Sequence, residues 1–326
     1  MKPRLVFVHG IGGPLDSAAA RDAERDAWVR ALAEGARAAG HAGKVSALTQ
    51  GWAADIRFAY YGDLFGAGQA QGGSALDPTV DQETVLLAEL LGDAVDERLA
   101  DPAGEDEIRV LTHARAQLDP RGAPQGPGSA LRQTLNAANT LLSVPGLRTF
   151  GGWVSAKVMI LRLSQVARYL ARGEPDADGV PLDRRIRRRV GEALDPVGPT
   201  IVVSHSLGTV VALETLHEHA GPVPLFVTLG SPLGMRTAVL PKLRPRPAGV
   251  PGQVGRWLNF WDRDDFVAGG PRPEKLLRPN SRDVLPVSTR VDSDGVWVHP
   301  AVRYLAHPAV AGPVVEALEA ATATGL

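Results

Sequence analysis

Residues 201–221, IVVSHSLGTVVALETLHEHAG, decide how this chain is read. An apolar run ends on small Ser204, sets Ser206 between His205 and Leu207, and restarts at once at helical spacing with Val210, Val211, Leu213 and Leu216. A short apolar run bounded by a turn reads as a buried strand, and the period that follows reads as a helix closed by Gly221-Pro222. The two elements meet with no linker, so the junction is built around Ser206 and not around chain length.

Moving outward, the same alternation recurs. LVFVHG (5–10), ADIRFAYYG (54–62), TIVVS (200–204), VPLFVTLG (223–230) and RWLNFW (256–261) predict strands. DVLPVSTRV (283–291) predicts a weaker one, because Pro286 cannot donate to a ladder. Ser17 to Ala39, rich in Ala and charge and stopped by Gly40, predicts a helix. Strands alternating with helices imply an α/β fold, a mostly parallel sheet with helices on both faces, in a single domain over 1–326. Residues 63–198 break the rhythm. They hold a turn-rich patch (69–79), a helix at 84–100, a Gly/Pro loop at 120–128 and helical patterns at 129–143 and 152–171. This predicts a helical insertion, a cap or lid over one end of the sheet. Its 153–170 segment reads first as a packed helix and second as the lining of an apolar pocket. PKLRPRPAGVPG (241–252) reads as an irregular loop.

Composition narrows the function. Thirty-five basic against thirty-six acidic residues give a formal net charge of −1, so no global field favours nucleic acid or an anionic membrane. Arg184, Arg185, Arg187, Arg188 and Arg189 cluster, but Ile186, Val190 and Leu194 beside them mark the solvated face of an amphipathic helix. The absence of cysteine rules out disulfides, a thiolate nucleophile and sulfur-ligated metal. With no long apolar segment to span a bilayer and no signal-peptide pattern, a cytoplasmic protein is expected. Eight histidines show no metal-ligand spacing such as H-E-x-x-H, so neither metal nor cofactor is expected.

The 204–208 junction has the parts of a nucleophile elbow, which holds a serine hydroxyl above the sheet edge. Close approach of strand and helix demands small residues two before and two after the serine; Ser204 and Gly208 meet it. The Leu207 amide opens a helix, where unpaired N–H groups and the macrodipole favour negative charge. VFVHGIGG (6–13) ends the first strand in a glycine-rich loop whose Ile11 amide could supply a second donor to an oxyanion. LNFWDRDDFVA (258–268) ends another strand in carboxylates. Asp265 is preferred as the acid because Phe266-Val267 can pack down and aim the loop back; Asp262 is the alternative, and Asp264 stays open. VWVHPAVRYLAHPAV (296–310) puts His299 on a loop past the last strand, a better placed base than His307. His9 and His205 accompany the two key turns and read as supports for them; His41, His113, His217 and His219 read as ordinary surface residues.

The order Ser206, Asp265, His299 is that of the α/β-hydrolase triad. At these motifs the chain resembles the α/β-hydrolase superfamily, particularly small bacterial lipases with the same H-G-I-G-G loop and an A-H-S-M-G elbow, here His9–Gly13 and Ser204–Gly208. Ser204 departs from the usual glycine. LGSPLG (229–234) looks like the strand-end loop that lines the acyl pocket in such lipases. The resemblance implies a serine hydrolase cleaving small-molecule or lipid esters through an acyl-enzyme, without a cofactor. An acyltransferase or thioesterase with the same triad, and a silent binding module, are the alternatives.

Overall fold

The protein is described by a computed structural model covering residues 2–12, 17–66, 78–102, 104–119, 129–144, 155–292 and 299–324. In chain order the elements are β1 (Arg4–Val8), α1 (Ala18–Ala38), α2 (Val45–Thr49), β2 (Asp55–Ala59), α3 (Pro78–Ala100), α4 (Glu105–Gln117), α5 (Ser129–Leu141), α6 (Ala156–Ala171) and α7 (Leu182–Gly191). They continue with β3 (Thr200–His205), α8 (Leu207–Glu218), β4 (Leu225–Leu229), β5 (Trp257–Trp261), β6 (Pro286–Arg290), α9 (Ala301–Leu305) and α10 (Pro308–Thr324). Every expected strand forms, the last at an edge with Pro286 as its first residue, where a missing N–H costs no ladder bond.

All six strands pair in parallel, in the order β2-β1-β3-β4-β5-β6. Strand period sorts the core into two layers. Val6, Val8, Val202 and Phe226 face the layer built from α3 to α8. Leu5, Phe7, Ile201, Val203 and Val227 face the other, built from α1, α9 and α10. Each fully buried Val, Leu or Phe contributes roughly 1.5–3 kcal/mol, so a sheet covered on both sides holds its register firmly. The chain leaves β1 for β2 on one side, then crosses back to β3 on the other. The strand order reverses between β1 and β3, and in such sheets a crevice opens beyond the strands' C-terminal ends at that point.

Helix α1 starts as its sequence suggests, with the Ser17 hydroxyl accepting from the Ala20 amide at 3.1 Å. Helix α4 has no counterpart among the expectations. Glu107, Leu111 and Ala114 form its buried i, i+4, i+7 face, which a glutamate and an alanine hide from a reading of hydrophobic spacing, and its start is favoured by Glu105, Asp106 and Glu107 at the positive end of the dipole. In α6 the packed reading holds: Met159, Leu163, Val166, Tyr169 and Leu170 are buried, while Leu161 faces solvent. Trp153, Val154, the 120–128 loop and the turn-rich patch up to residue 77 lie outside the described residues.

The arginine cluster on α7 departs from expectation at one position. Arg184 and Arg188 are exposed, but Arg187 is buried and bonds Asp183 at 2.7 Å and Glu214 at 3.3 Å. Glu214, on α8, is the centre: it accepts from the Tyr169 hydroxyl at 2.7 Å, from Arg172 at 2.5 and 3.1 Å, and from the Arg244 amide at 2.8 Å. A carboxylate so far from water needs paired cations, and these two arginines are drawn inward to supply them. Among the described residues, no helix is long and apolar enough to cross a membrane.

Candidate functional site

The switch point places the ends of β1 and β3 side by side, with Val8 opposite Ser204. Immediately after β3, Ser206 adopts φ 53° and ψ −130°, outside the small left-handed well open to most residues. The ladder and the helix together impose this turn. The Ser206 amide still donates to Leu229 of β4 at 3.0 Å, while its carbonyl accepts from the Thr209 amide at 2.9 Å and the Thr209 hydroxyl at 2.7 Å. The Thr209 hydroxyl also pairs with that of Ser231, in the loop after β4, at 2.8 Å.

Two glycines let the loops touch. A Cβ on Gly208 would lie 2.2 Å from the His9 carbonyl oxygen, and one on Gly10 would lie 2.4 Å from the Cβ of Ser206. The departure at Ser204 is accommodated: its side chain is fully buried and donates to the Val227 carbonyl of β4 at 3.0 Å, so a hydroxyl fits where bulk would not. Ser206 Oγ is also fully buried, yet it makes no hydrogen bond to a described residue, so the bond from serine to imidazole is not formed in this structure.

Asp265 and His299 are brought together. His299 Nδ1–H donates to the Asp265 carboxylate, 2.9 Å from each oxygen. Asp265 also accepts from the Val267 amide at 3.0 Å and from the Tyr304 hydroxyl at 2.7 Å. Burial alone would raise its pKa, but the charge and hydrogen bond of His299, with the Tyr304 hydroxyl, outweigh it and hold the carboxyl below its usual range. The anticipated packing of Phe266 and Val267 is present, both being buried. Asp262 turns away: its amide donates to the Tyr304 hydroxyl at 3.1 Å and its carboxylate accepts from the Asp264 amide at 2.9 Å. Asp264 is exposed and ion-paired with Arg98.

The histidines beside the two turns are structural and neutral. His9 donates from Nδ1 to the Gly10 carbonyl at 2.7 Å and accepts at Nε2 from the Tyr61 amide at 3.0 Å, which fixes its tautomer. Burial lowers its pKa to about 4. His205 donates from Nε2 to the carbonyl of His299 at 2.6 Å, tying the elbow strand to the loop that carries the other imidazole. Burial, helped by His299, lowers its pKa to about 3. His9 and His205 matched the expectation of support; Tyr304 was missed, although it lies on the helix that follows His299.

A cleft of about 270 Å³ is lined by His299, His205, Gly10, Ile11, Gly12 and Arg162 among others. Ile11 sits in the loop after β1 and Leu207 is the first residue of α8; neither amide is taken by a backbone acceptor among the described residues. Such an arrangement offers a cleft lined by Ile11 and by an imidazole with one nitrogen held by a carboxylate, and behind it a buried hydroxyl followed directly by the Leu207 amide. Gly13 lies outside the described residues. Among the described residues, no group of three or more His, Cys, Asp or Glu side chains is placed to hold a metal ion. Compared with known proteins, the chain matches no family model, no curated protein and no solved structure.

Proposed function

We propose that this protein is a serine hydrolase of the α/β-hydrolase type that cleaves carboxylic esters through an acyl-enzyme. One observation carries the reading: the carboxylate expected to be the acid, Asp265, holds Nδ1 of the imidazole expected to be the base, His299, at 2.9 Å, from loops 34 residues apart in sequence. The strained Ser206 turn at the switch point supports the role of the hydroxyl. In the reaction, Ser206 Oγ attacks the ester carbonyl while His299 Nε2 takes its proton, and Asp265 stabilises the imidazolium. The amides of Ile11 and Leu207 receive the carbonyl oxygen as it becomes an oxyanion. His299 then gives the proton to the leaving alcohol, and water repeats the sequence on the acyl-enzyme. The missing bond between Ser206 and His299 belongs to the substrate complex, where catalytic hydrogen bonds tighten.

Residues 63–198 act in this reading as the cap. Its supports are contacts from α3 to loops at the strands' C-terminal ends: Asp93 accepts from the Thr237 and Ala238 amides, and Arg98 reaches the Arg263 carbonyl. The cleft's size suits a small ester, and the lack of cysteine fits a reducing, cytoplasmic compartment. In a p-nitrophenyl ester assay, Ser206→Ala is expected to cost on the order of 10⁶-fold in kcat and Asp265→Asn about 10⁴-fold, with Asp262→Asn near wild type. A fluorophosphonate probe is expected to label wild type and not Ser206→Ala. Undiminished turnover by folded Ser206→Ala ends the proposal.

A further inference from the structure

An oxyanion needs one amide from the loop after β1; the Ile11 amide is the expected donor, and Gly12 beside it, which also lines the cleft, carries a second. Helix α6 decides between them. Gln165 Nε2 donates to the Gly12 carbonyl at 2.7 Å, and the Gly12 amide donates to Gln165 Oε1 at 3.2 Å. A side-chain amide thus serves as a neighbouring peptide would, engaging the donor and the acceptor of one residue at once. Two opposed hydrogen bonds fix the peptide planes on both sides of Gly12, a residue that otherwise turns freely. The Gly12 N–H is spent on this contact, whereas the Ile11 N–H, with no backbone acceptor among the described residues, stays available beside the cleft.

Gln165 is not free to follow the loop, because α6 is held one turn beyond this contact. Arg168 donates to the Phe65 carbonyl, after β2, at 3.0 Å, and the Tyr169 hydroxyl donates to Glu214 on α8 at 2.7 Å. Leu163, Val166 and Ala167 are buried around it. We propose that Gln165 is a positioning residue: it absorbs the Gly12 amide, assigns the Ile11 amide to the oxyanion, and so makes turnover depend on the seating of helix α6. The inference rests on the serine-hydrolase reading. It also gives this part of the chain between β2 and β3 a task other than covering the substrate.

The test compares Gln165→Ala and Gln165→Glu with wild type on p-nitrophenyl butyrate. Removing an oxyanion donor costs about 10²–10³-fold in kcat, and misplacing one is expected to cost roughly 10- to 100-fold, with KM within about two-fold because ground-state contacts are untouched. Glutamate supplies a pH signature. As a carboxylate it accepts from the Gly12 amide but repels the Gly12 carbonyl; once protonated it donates and accepts as glutamine does. The ratio of Gln165→Glu to wild-type kcat is therefore expected to rise as pH falls toward about 5, near the carboxyl range. Should Gln165→Ala fail to fold, this pH ratio carries the test alone. Wild-type kcat in both variants, a loss confined to KM, or a flat Gln165→Glu ratio overturns the positioning role. Activity retained by Ser206→Ala instead overturns the hydrolase reading beneath it, so the two failures are told apart.

Discussion

Helix α8 has a buried polar cluster at each end, and the two are built on opposite principles. Toward its C-terminal half, Glu214 is surrounded by Tyr169, Arg172, Arg187 and the Arg244 amide, and both of its oxygens accept. At its N-terminal end, Ser206 Oγ is as deeply buried and makes no hydrogen bond to a described residue, on a backbone that few residues adopt. Buried polar groups are almost always satisfied, because leaving one unpaired costs about 1–3 kcal/mol. Glu214 follows that rule and links α6, α7 and α8. The second cluster breaks it at the atom that the proposed hydrolysis requires to react, so in that reading the stability of one end of the helix supports the strain at the other.

Acid distinguishes the two ends most sharply. His9 and His205 are held neutral with pKa values of about 4 and about 3, below the unfolded value near 6.5. Depressed folded values mean that the unfolded chain binds more protons below pH 6.5, so their contribution is complete above 6.5 and is lost as pH falls through 4 and then 3. At about 1.4 kcal/mol per unit, each contributes roughly 3 kcal/mol of destabilisation by pH 4. Protonated His9 can no longer accept from the Tyr61 amide. Native-state hydrogen exchange between pH 7 and 4 is expected to expose the Tyr61 amide before the interior of α8, with the melting temperature falling over the same range. A melting temperature constant from pH 7 to 4 contradicts the buried neutral imidazoles.

At the other end, Glu214→Gln leaves Arg172 and Arg187 short of a countercharge in the interior. Breaking a buried ion pair from one side costs about 3–5 kcal/mol, the loss expected in urea unfolding of this variant. The surviving folded fraction is expected to lose kcat only as far as α6 shifts, since Glu214 lies outside the cleft but accepts from the Tyr169 hydroxyl that seats that helix. A change within about 0.5 kcal/mol shows that Asp183 and Glu218 alone neutralise the arginines.

What the sequence reveals follows from the range over which each feature acts. Strands β1 to β5, the tight turn at Ser206 and the inward-facing carboxylate of Asp265 are local: period, a small residue at each side of Ser206, and Phe266-Val267 behind a strand end. Helix α4 escapes because a glutamate and an alanine stand in its buried face. Arg187 is misjudged because its partner Glu214 is 27 residues away and on another helix, so the run of arginines shows only its exposed members. Tyr304, 39 residues from Asp265, and Gln165, 153 from Gly12, are placed by tertiary contacts that leave no spacing to read.

The smallest effect tests the comparison at its centre. At φ 53° and ψ −130° a Cβ is strained by about 1–3 kcal/mol, and the unpaired hydroxyl adds a penalty of similar size. Ser206→Gly removes both. Against this, glycine gives the unfolded chain more freedom, worth roughly 0.5–1 kcal/mol, and forfeits the packing of one Cβ against Gly10. The net expectation is an inactive protein about 1 kcal/mol more stable than wild type, with Ser206→Ala between them because it sheds the hydroxyl but keeps the strained Cβ. Urea midpoints in the order glycine, alanine, wild type support a turn kept for chemistry at the expense of stability. A glycine variant weaker than wild type places Ser206 among the groups that hold the fold, as Glu214 is, and removes the contrast between the two ends of α8.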